Sequence, residues 1–364
     1  MPTLPLPARP SLVHLRHQAK DLLRDHSARA ASAAQRIREF HPRYRAASDA
    51  AIAEAPFALA DAQLTIAREY GFTSWPRLRA HVENPQRPDL ARPQHERIDD
   101  TAFRRAVDLL DAGDAAALRD HLAAHPGVAR QRVTLEGGNY FTNPALLEFI
   151  AENPTRRGTL PTSIVGVATV ILDAGAAEDA EAMNSALDLV ASSSVARQCG
   201  VQRALIELLC DRGADPNRAV LSPLLYGEFE SVEALLRRGA KLTLTIAAAT
   251  GSVSDARAVL PMADDDERQT ALALAAQFGH VEIVRMLLDA GEDPNRYSPV
   301  GGHSHATPLH QAALAGHESV ARLLAERGAR LDIEDLHYHA TPLGWARYAG
   351  RDAVAAYLES KLNA

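Results

Sequence analysis

Apolar residues recur along most of this chain at helical spacing, in short runs punctuated by glycine and proline. From Ser11, a candidate N-cap, the positions Leu12, Leu15, Ala19, Leu22 and Leu23 mark one face of a first helix. A second helix is expected over 30–40, stopping at His41-Pro42, because the residue before proline is pushed out of the helical region. A third covers 58–70 and ends at Gly71, a left-handed cap candidate; a fourth starts at Ser74-Trp75-Pro76 with Ser as cap and Pro in the first turn. Residues 11–83 are therefore read as a small helical leader domain behind a flexible N-terminus at 1–10. The polar stretch 84–99, with Pro85, Pro88 and Pro93, is the expected linker. From 100 onward the runs come in pairs, beginning with Thr101–Asp111 and Ala115–Ala124.

Between Asp266 and Tyr348 the pairing becomes a repeat. Thr270-Ala271-Leu272 leads to Gly279-His280, Thr307-Pro308-Leu309-His310 to Gly316-His317, and Thr341-Pro342-Leu343 to Gly350, with Thr and Gly nine positions apart each time. In the first two copies a second glycine, Gly291 or Gly328, follows twelve positions later and closes an apolar run. A turn, a short helix, a glycine, a longer amphipathic helix and a glycine cap, repeated every thirty-odd residues, form slabs that bury their apolar faces only by stacking.

This wording resembles the ankyrin repeat. Five more copies with weaker wording precede the clear ones, and two of them are lengthened, by 152–163 and by 192–198. Insertions in solenoids map to loops on one face, so both are functional candidates, with neutral loop growth as the alternative. The expected fold is thus all-α: an ankyrin-type solenoid of about eight helix pairs, several divergent, over 100–364. The segment from Leu59 to Pro76 resembles helical leaders that precede such arrays in bacterial proteins, and that likeness carries no activity.

Charge alters the picture only at the two ends. Residues 1–100 hold 15 Lys/Arg against 12 Asp/Glu and the remainder 24 against 34, which divides the net charge of −7 into +3 and −10. Nine basic residues against three acidic ones within 9–45 raise the question of a polyanionic partner. The aromatic interleaving of a nucleic-acid surface is missing up to Arg38, and the acidic array would repel one, so nucleic acid is disfavoured. No apolar run approaches the roughly 18–20 residues that span a bilayer, the first residues lack an export signal, and Cys199 and Cys210 read as packed thiols. The expected setting is the cytoplasm, without a membrane partner.

Histidine supplies the candidate chemistry. The resemblance implies that His310, in Thr-Pro-Leu-His, holds its turn by hydrogen bonds and that His280 and His317 are structural. His303, His305, His337 and His339 fall in the turns ahead of two successive Thr-Pro-Leu motifs, and His305 and His339 stand where the family ordinarily has glycine. On extended backbone residues i and i+2 point the same way, so the two pairs could converge as Zn²⁺ ligands, either all four imidazoles or three of them with Asp335; a polar recognition patch and plain solvated tips are the other readings. No other cofactor is expected. Pro299–Gly302 lengthens the seventh turn, whose tip should then project.

Two functions remain. The first is a scaffold binding a protein partner through its concave face and finger tips, with contacts from His303, His305, His337, Tyr338, His339, Tyr297, Tyr140 and Asn143. The alternative is an enzyme or a small-molecule or metal-binding protein with its site in the groove of the divergent repeats at 130–230 or at the paired histidines of the last two repeats. Its carboxylate candidates are Glu136, Glu148 and Asp188, which would have to meet in one pocket to act as acid and base.

Overall fold

Helical spacing at the start of the chain becomes five helices, Leu12–Ser27, Ala31–Phe40, Asp49–Glu54, Leu59–Glu69 and Trp75–Glu83. This computed structural model describes residues 11–45, 47–72, 74–83, 94–135, 140–299 and 301–363, and divides into two units, Met1–Asp89 and Leu90–Ala364. The first unit closes around Leu15, Leu22, Ile37, Ile52, Ile66 and Leu78, with Phe72 and Trp75 half-buried against them. Ser11 caps the first helix by accepting the His14 amide. Arg36 forks onto Glu69 through two bonds of 2.7 Å, which pairs a carboxylate that the core otherwise encloses. The helix Asp49–Glu54 is additional to the four read from spacing; it is a single capped turn and a half with only Ile52 buried, too short to show a period.

The second unit begins earlier than the linker reading allows. Gln94–Arg97 forms a 3₁₀ turn, and Ile98 is buried in the same apolar cluster as Phe103 and Leu110. The expected flexible tail at 1–10 and linker stretch 84–93 lie outside the described residues.

Eight helix pairs follow among the described residues. The inner and outer members are Thr101–Ala112 with Ala115–Ala124, Leu146–Ala151 with Ile164–Asp173, Ala180–Ala191 with Gln202–Asp211, and Leu221–Tyr226 with Phe229–Arg237. Then come Leu244–Thr250 with Val253–Val259, Asp265–Phe278 with Val281–Asp289, Pro308–Ala315 with Glu318–Glu326, and Pro342–Tyr348 with Asp352–Leu362. Inner helices of pairs five to eight pack in sequence, and so do the outer helices of pairs six to eight. One apolar cluster runs from Ile98 to Ala240 and a second from Leu244 to Leu358; Leu224, Val232, Ile246, Ala249 and Leu274 form a smaller one from pairs four to six. Asp264 caps the long sixth inner helix, and Asp265, Asp266 and Glu267 in its first turn complement the helix dipole.

Two insertions behave differently from exposed loops. In the second pair the inner element is a 3₁₀ turn, and residues 152–163 fold back on it through Arg156, which is buried between Asp111 and Glu152. In the seventh, the finger does not project: Gly302 is buried, and Cβ atoms added at Gly301 and Gly302 would stand 3.4 Å from Leu221 and 3.5 Å from Thr270. Gly301 and Gly302 thus fold back toward pairs four and six.

Register between slabs is locked at the glycine that ends each inner helix. His280 donates Nε2–H to the Ala249 carbonyl at 3.0 Å, His317 to Gln277 at 3.0 Å, and in the last pair Arg351 Nε takes over and donates to Leu314 at 3.0 Å. Gly279 has φ +79, and a Cβ there would lie 2.6 Å from His317 Nδ1. Gly279→Ala is therefore expected to destabilise the array by about 2–3 kcal/mol, from left-handed strain plus the lost histidine bond. Thermal melting followed by circular dichroism checks this; a variant melting with the native protein would show that the histidine gives way at no cost.

Candidate interaction groove

The last two fingers are built around two buried side chains. His310 is enclosed, and its Nδ1 accepts the Thr307 amide at 3.3 Å and the Thr307 hydroxyl at 2.8 Å. With Nδ1 accepting, the proton sits on Nε2, which donates to the Ala340 carbonyl of the next finger at 3.1 Å. Burial above all holds this imidazole neutral. Asp335, also enclosed, accepts the amides of His337, Tyr338 and Ala340 and the Trp345 indole N–H. Burial opposes its ionisation, yet the four donors outweigh burial and hold its carboxyl well below the usual range. The Leu336 amide donates to the His305 carbonyl at 2.9 Å, and Tyr297 donates its hydroxyl to the Glu334 carbonyl at 2.7 Å, so the fingers are tied to each other.

Against these fingers the inner helices leave a groove of about 790 Å³. His303, His305, Tyr338 and Ala340 line one side; Leu225, Phe278, Leu314, Trp345 and Tyr348 form an apolar and aromatic floor. Tyr348 is 91% exposed and Tyr338, edge-on to His305 and His337, 76%, so two large rings face solvent at its margin. Two floor glutamines carry buried atoms without a partner among the described residues: Gln277 Oε1, whose amide nitrogen already donates to Leu225, and Gln311 Nε2. Unmade bonds of this kind normally cost about 1–3 kcal/mol each, so a side-chain rotation that turns these atoms into the groove would let a ligand supply the complement.

Three of the expected contacts, His303, His305 and Tyr338, line this groove. The four imidazoles do not converge as metal ligands, and among the described residues no three His, Cys, Asp or Glu side chains gather closely enough to hold an ion. His305 stacks on His337 with ring centroids 4.6 Å apart, and His339 points to solvent 3.9 Å from Glu334. The alternation argument fails because His303 and His339 both have positive φ, 56° and 52°, which breaks the extended run. Burial, reinforced by a neighbouring imidazole, lowers the pKa of both His303 and His305, so each presents a neutral ring at pH 7.

The carboxylate candidates are not gathered into a catalytic pocket among the described residues. Glu148 caps its own 3₁₀ turn, accepting the Ala145 amide and the Ser185 hydroxyl with Arg132 3.6 Å away, and burial raises its pKa. Asp188 accepts only the Ser222 hydroxyl, at 2.9 Å, and faces a hollow of about 330 Å³. Glu136 lies outside the described residues. Asn143 is exposed, and its carbonyl accepts from Arg132 at 3.2 Å; Tyr140 is exposed, with its hydroxyl on Asn153. Asn143 lies away from the groove, as does Tyr297, half-buried between fingers.

Sequence reasoning missed the floor. Four of its five residues stand one or two places before the recurring cap glycine: Leu225 before Gly227, Phe278 before Gly279, Leu314 before Gly316 and Tyr348 before Gly350. A large apolar side chain at that recurring position was the available signal.

Comparison with known proteins agrees with this architecture. A family model described as ankyrin repeats (3 copies) matches residues 224–298, and one described as ankyrin repeats (many copies) matches 272–325. The chain is 36% identical over 77 residues to the mouse ankyrin repeat and SAM domain-containing protein 6, covering 21% of this chain and 8% of that protein. It is 39% identical over 71 residues to the E3 ubiquitin-protein ligase hecd-1 of Caenorhabditis elegans, covering 20% and 2%. To the mouse inactive serine/threonine-protein kinase TEX14 it is 32% identical over 120 residues, covering 31% and 7%. The chain thus spans less than a tenth of the length of each of these relatives. Ankyrin repeats generally mediate protein–protein interaction. Among the described residues no helix is long and apolar enough to cross a membrane.

Proposed function

We propose that this chain, an ankyrin-repeat protein, is an interaction scaffold that seats a segment of a protein partner in the groove between its inner helices and its last two fingers. The observation that carries the reading is the composition of the groove floor. It offers apolar and aromatic side chains in a row, Leu225, Phe278, Leu314 and Trp345, together with one unpartnered acceptor and one unpartnered donor on Gln277 and Gln311. A polypeptide segment matches that demand, since each residue brings one N–H and one C=O besides its side chain. The neutral rings of His303 and His305 and the free phenols of Tyr338 and Tyr348 suit polar contacts at the rim.

Leu314→Asp combined with Tyr348→Ala tests this, because both side chains are exposed and the fold is expected to tolerate the change. Immobilised native protein is expected to retain proteins that the double variant releases, a loss of at least about tenfold in affinity. The same retained set for both, at equal melting temperature, would remove the groove from the function. The volume also falls within the roughly 300–1,000 Å³ of small-molecule sites, which keeps an apolar small ligand as the second reading. A partner bound equally well in the presence of a saturating apolar ligand would separate the two.

A further inference from the structure

Next to the Leu225 end of the groove stands a carboxylate that no cation answers. Asp188 lies half-buried on the inner helix Ala180–Ala191; Oδ2 accepts the Ser222 hydroxyl at 2.9 Å, and no ion pair to Asp188 exists among the described residues. Arg218 shares its hollow but is not paired with it. Burial raises the pKa of this group and the Ser222 bond offsets only part of that, so the ionised form lacks the compensation that Glu69 receives from Arg36 and Glu152 from Arg156.

Two exposed phenols flank it. Tyr226 sits four residues after Ser222, one helical turn along the same face. Tyr140 donates to Asn153, whose amide donates in turn to the Leu189 carbonyl at 3.1 Å and the Ser192 hydroxyl at 3.0 Å, just beyond Asp188 on its helix. Burial, and after it the nearness of Tyr226 and Asp188, raises the pKa of the Tyr140 phenol. The two rings are 66% and 71% exposed, a large aromatic area for neighbours that make so few contacts of their own.

We propose that Asp188, Tyr140 and Tyr226 form a cation site that takes a Lys or Arg side chain from the same protein segment that fills the groove. The proposal rests on the groove reading for the identity of its occupant. A carboxylate beside aromatic faces is the arrangement that holds an ammonium or guanidinium, by charge and by the ring quadrupole. Tyr226 directly follows Leu225, a floor residue, on the helix Leu221–Tyr226, so the two sites share that helix. Residues 101–364 carry 34 acidic against 24 basic side chains, so a basic partner is complementary in charge to this unit.

N-acetyl-lysine-N-methylamide and its uncharged counterpart N-acetyl-norleucine-N-methylamide, titrated into the full chain with ring-labelled tyrosine, test the site. The Tyr140 and Tyr226 ring signals are expected to move with the lysine compound, at roughly millimolar affinity, and to stay still with norleucine. Asp188→Asn keeps an acceptor for Ser222, and is expected to weaken the response about tenfold. Tyrosine signals unmoved by the lysine compound, or moved equally in D188N, overturn the site. Leu314→Asp/Tyr348→Ala is expected to answer the lysine compound as the native chain does, so a failed groove and a failed cation site give different results. Selection of a random peptide library on the full chain then tests the shared occupant. Peptides joining apolar residues to a basic one, with the basic preference lost in D188N, support it; purely apolar peptides selected alike by both overturn it and leave the groove reading standing.

Discussion

Replacing Arg156 with alanine is expected to destabilise the array by roughly 3–5 kcal/mol, because it strands two buried carboxylates. The guanidinium is 3% exposed; it donates to Asp111 at 2.8 and 3.1 Å and lies 2.8 Å from Glu152 Oε1, in ion-pair contact without an aligned hydrogen bond. It also covers the Phe149 ring at 5.0 Å. Glu152 Oε2 in turn accepts the amides of Arg156, Arg157 and Gly158 at 2.8–3.2 Å, so one acid–base cluster ties the insertion to the inner helix of the first pair. Urea unfolding should show the loss, and hydrogen exchange should show it first in residues 152–163. A variant with native midpoint and native protection there would mean that solvent already answers these charges.

That network marks the limit of what the sequence could disclose. Pairs six to eight were legible because Thr-Pro-Leu, a cap glycine and an apolar run each report a local requirement: an N-cap, a left-handed turn and one buried face. The 3₁₀ turn at Leu146–Ala151 was not legible, since Asn143-Pro144-Ala145-Leu146 carries the wording of a helix start. What shortens it is Glu152 at φ 50° and the return of the insertion onto Asp111 through Arg156, 45 positions further along the chain. The same applies to the site. His303, His305 and Tyr338 stood out by residue type, and all three line the groove. The expected convergence of four histidines assumed extended backbone, and two positive φ angles remove that premise. The floor depended on which inner-helix residues stay uncovered after stacking, a property of neighbouring slabs rather than of any one repeat. Residues 152–163, read as a candidate binding loop, are pinned down at Glu152 and Arg156, whereas Asp188 lacks the partner that its burial calls for.

Asp335→Asn is expected to unmake the last finger at a cost of roughly 2–4 kcal/mol, although the substitution is nearly isosteric. Each carboxylate oxygen takes two donors: Oδ1 the amides of Tyr338 at 2.7 Å and His337 at 2.9 Å, Oδ2 the Trp345 indole at 3.0 Å and the Ala340 amide at 3.1 Å. An asparagine serves only one such pair and sets its own N–H₂ against the other, so the loss concerns geometry as well as charge. The pH dependence follows from the folded-state pKa lying below the unfolded value of about 3.9. Unfolded chains then bind this proton more readily than folded ones, so the contribution is complete above about pH 4 and is lost as pH falls toward the folded pKa. Native protein should show Trp345 fluorescence and melting temperature dropping as the pH is lowered below about 4, while D335N lacks that component and starts lower at neutral pH. Parallel curves for the two proteins would refute the assignment. Because His305, Tyr338 and Trp345 line the groove while Asp335 holds the Tyr338 amide and the Trp345 indole in place, D335N should also weaken partner binding by displacing those two contact residues.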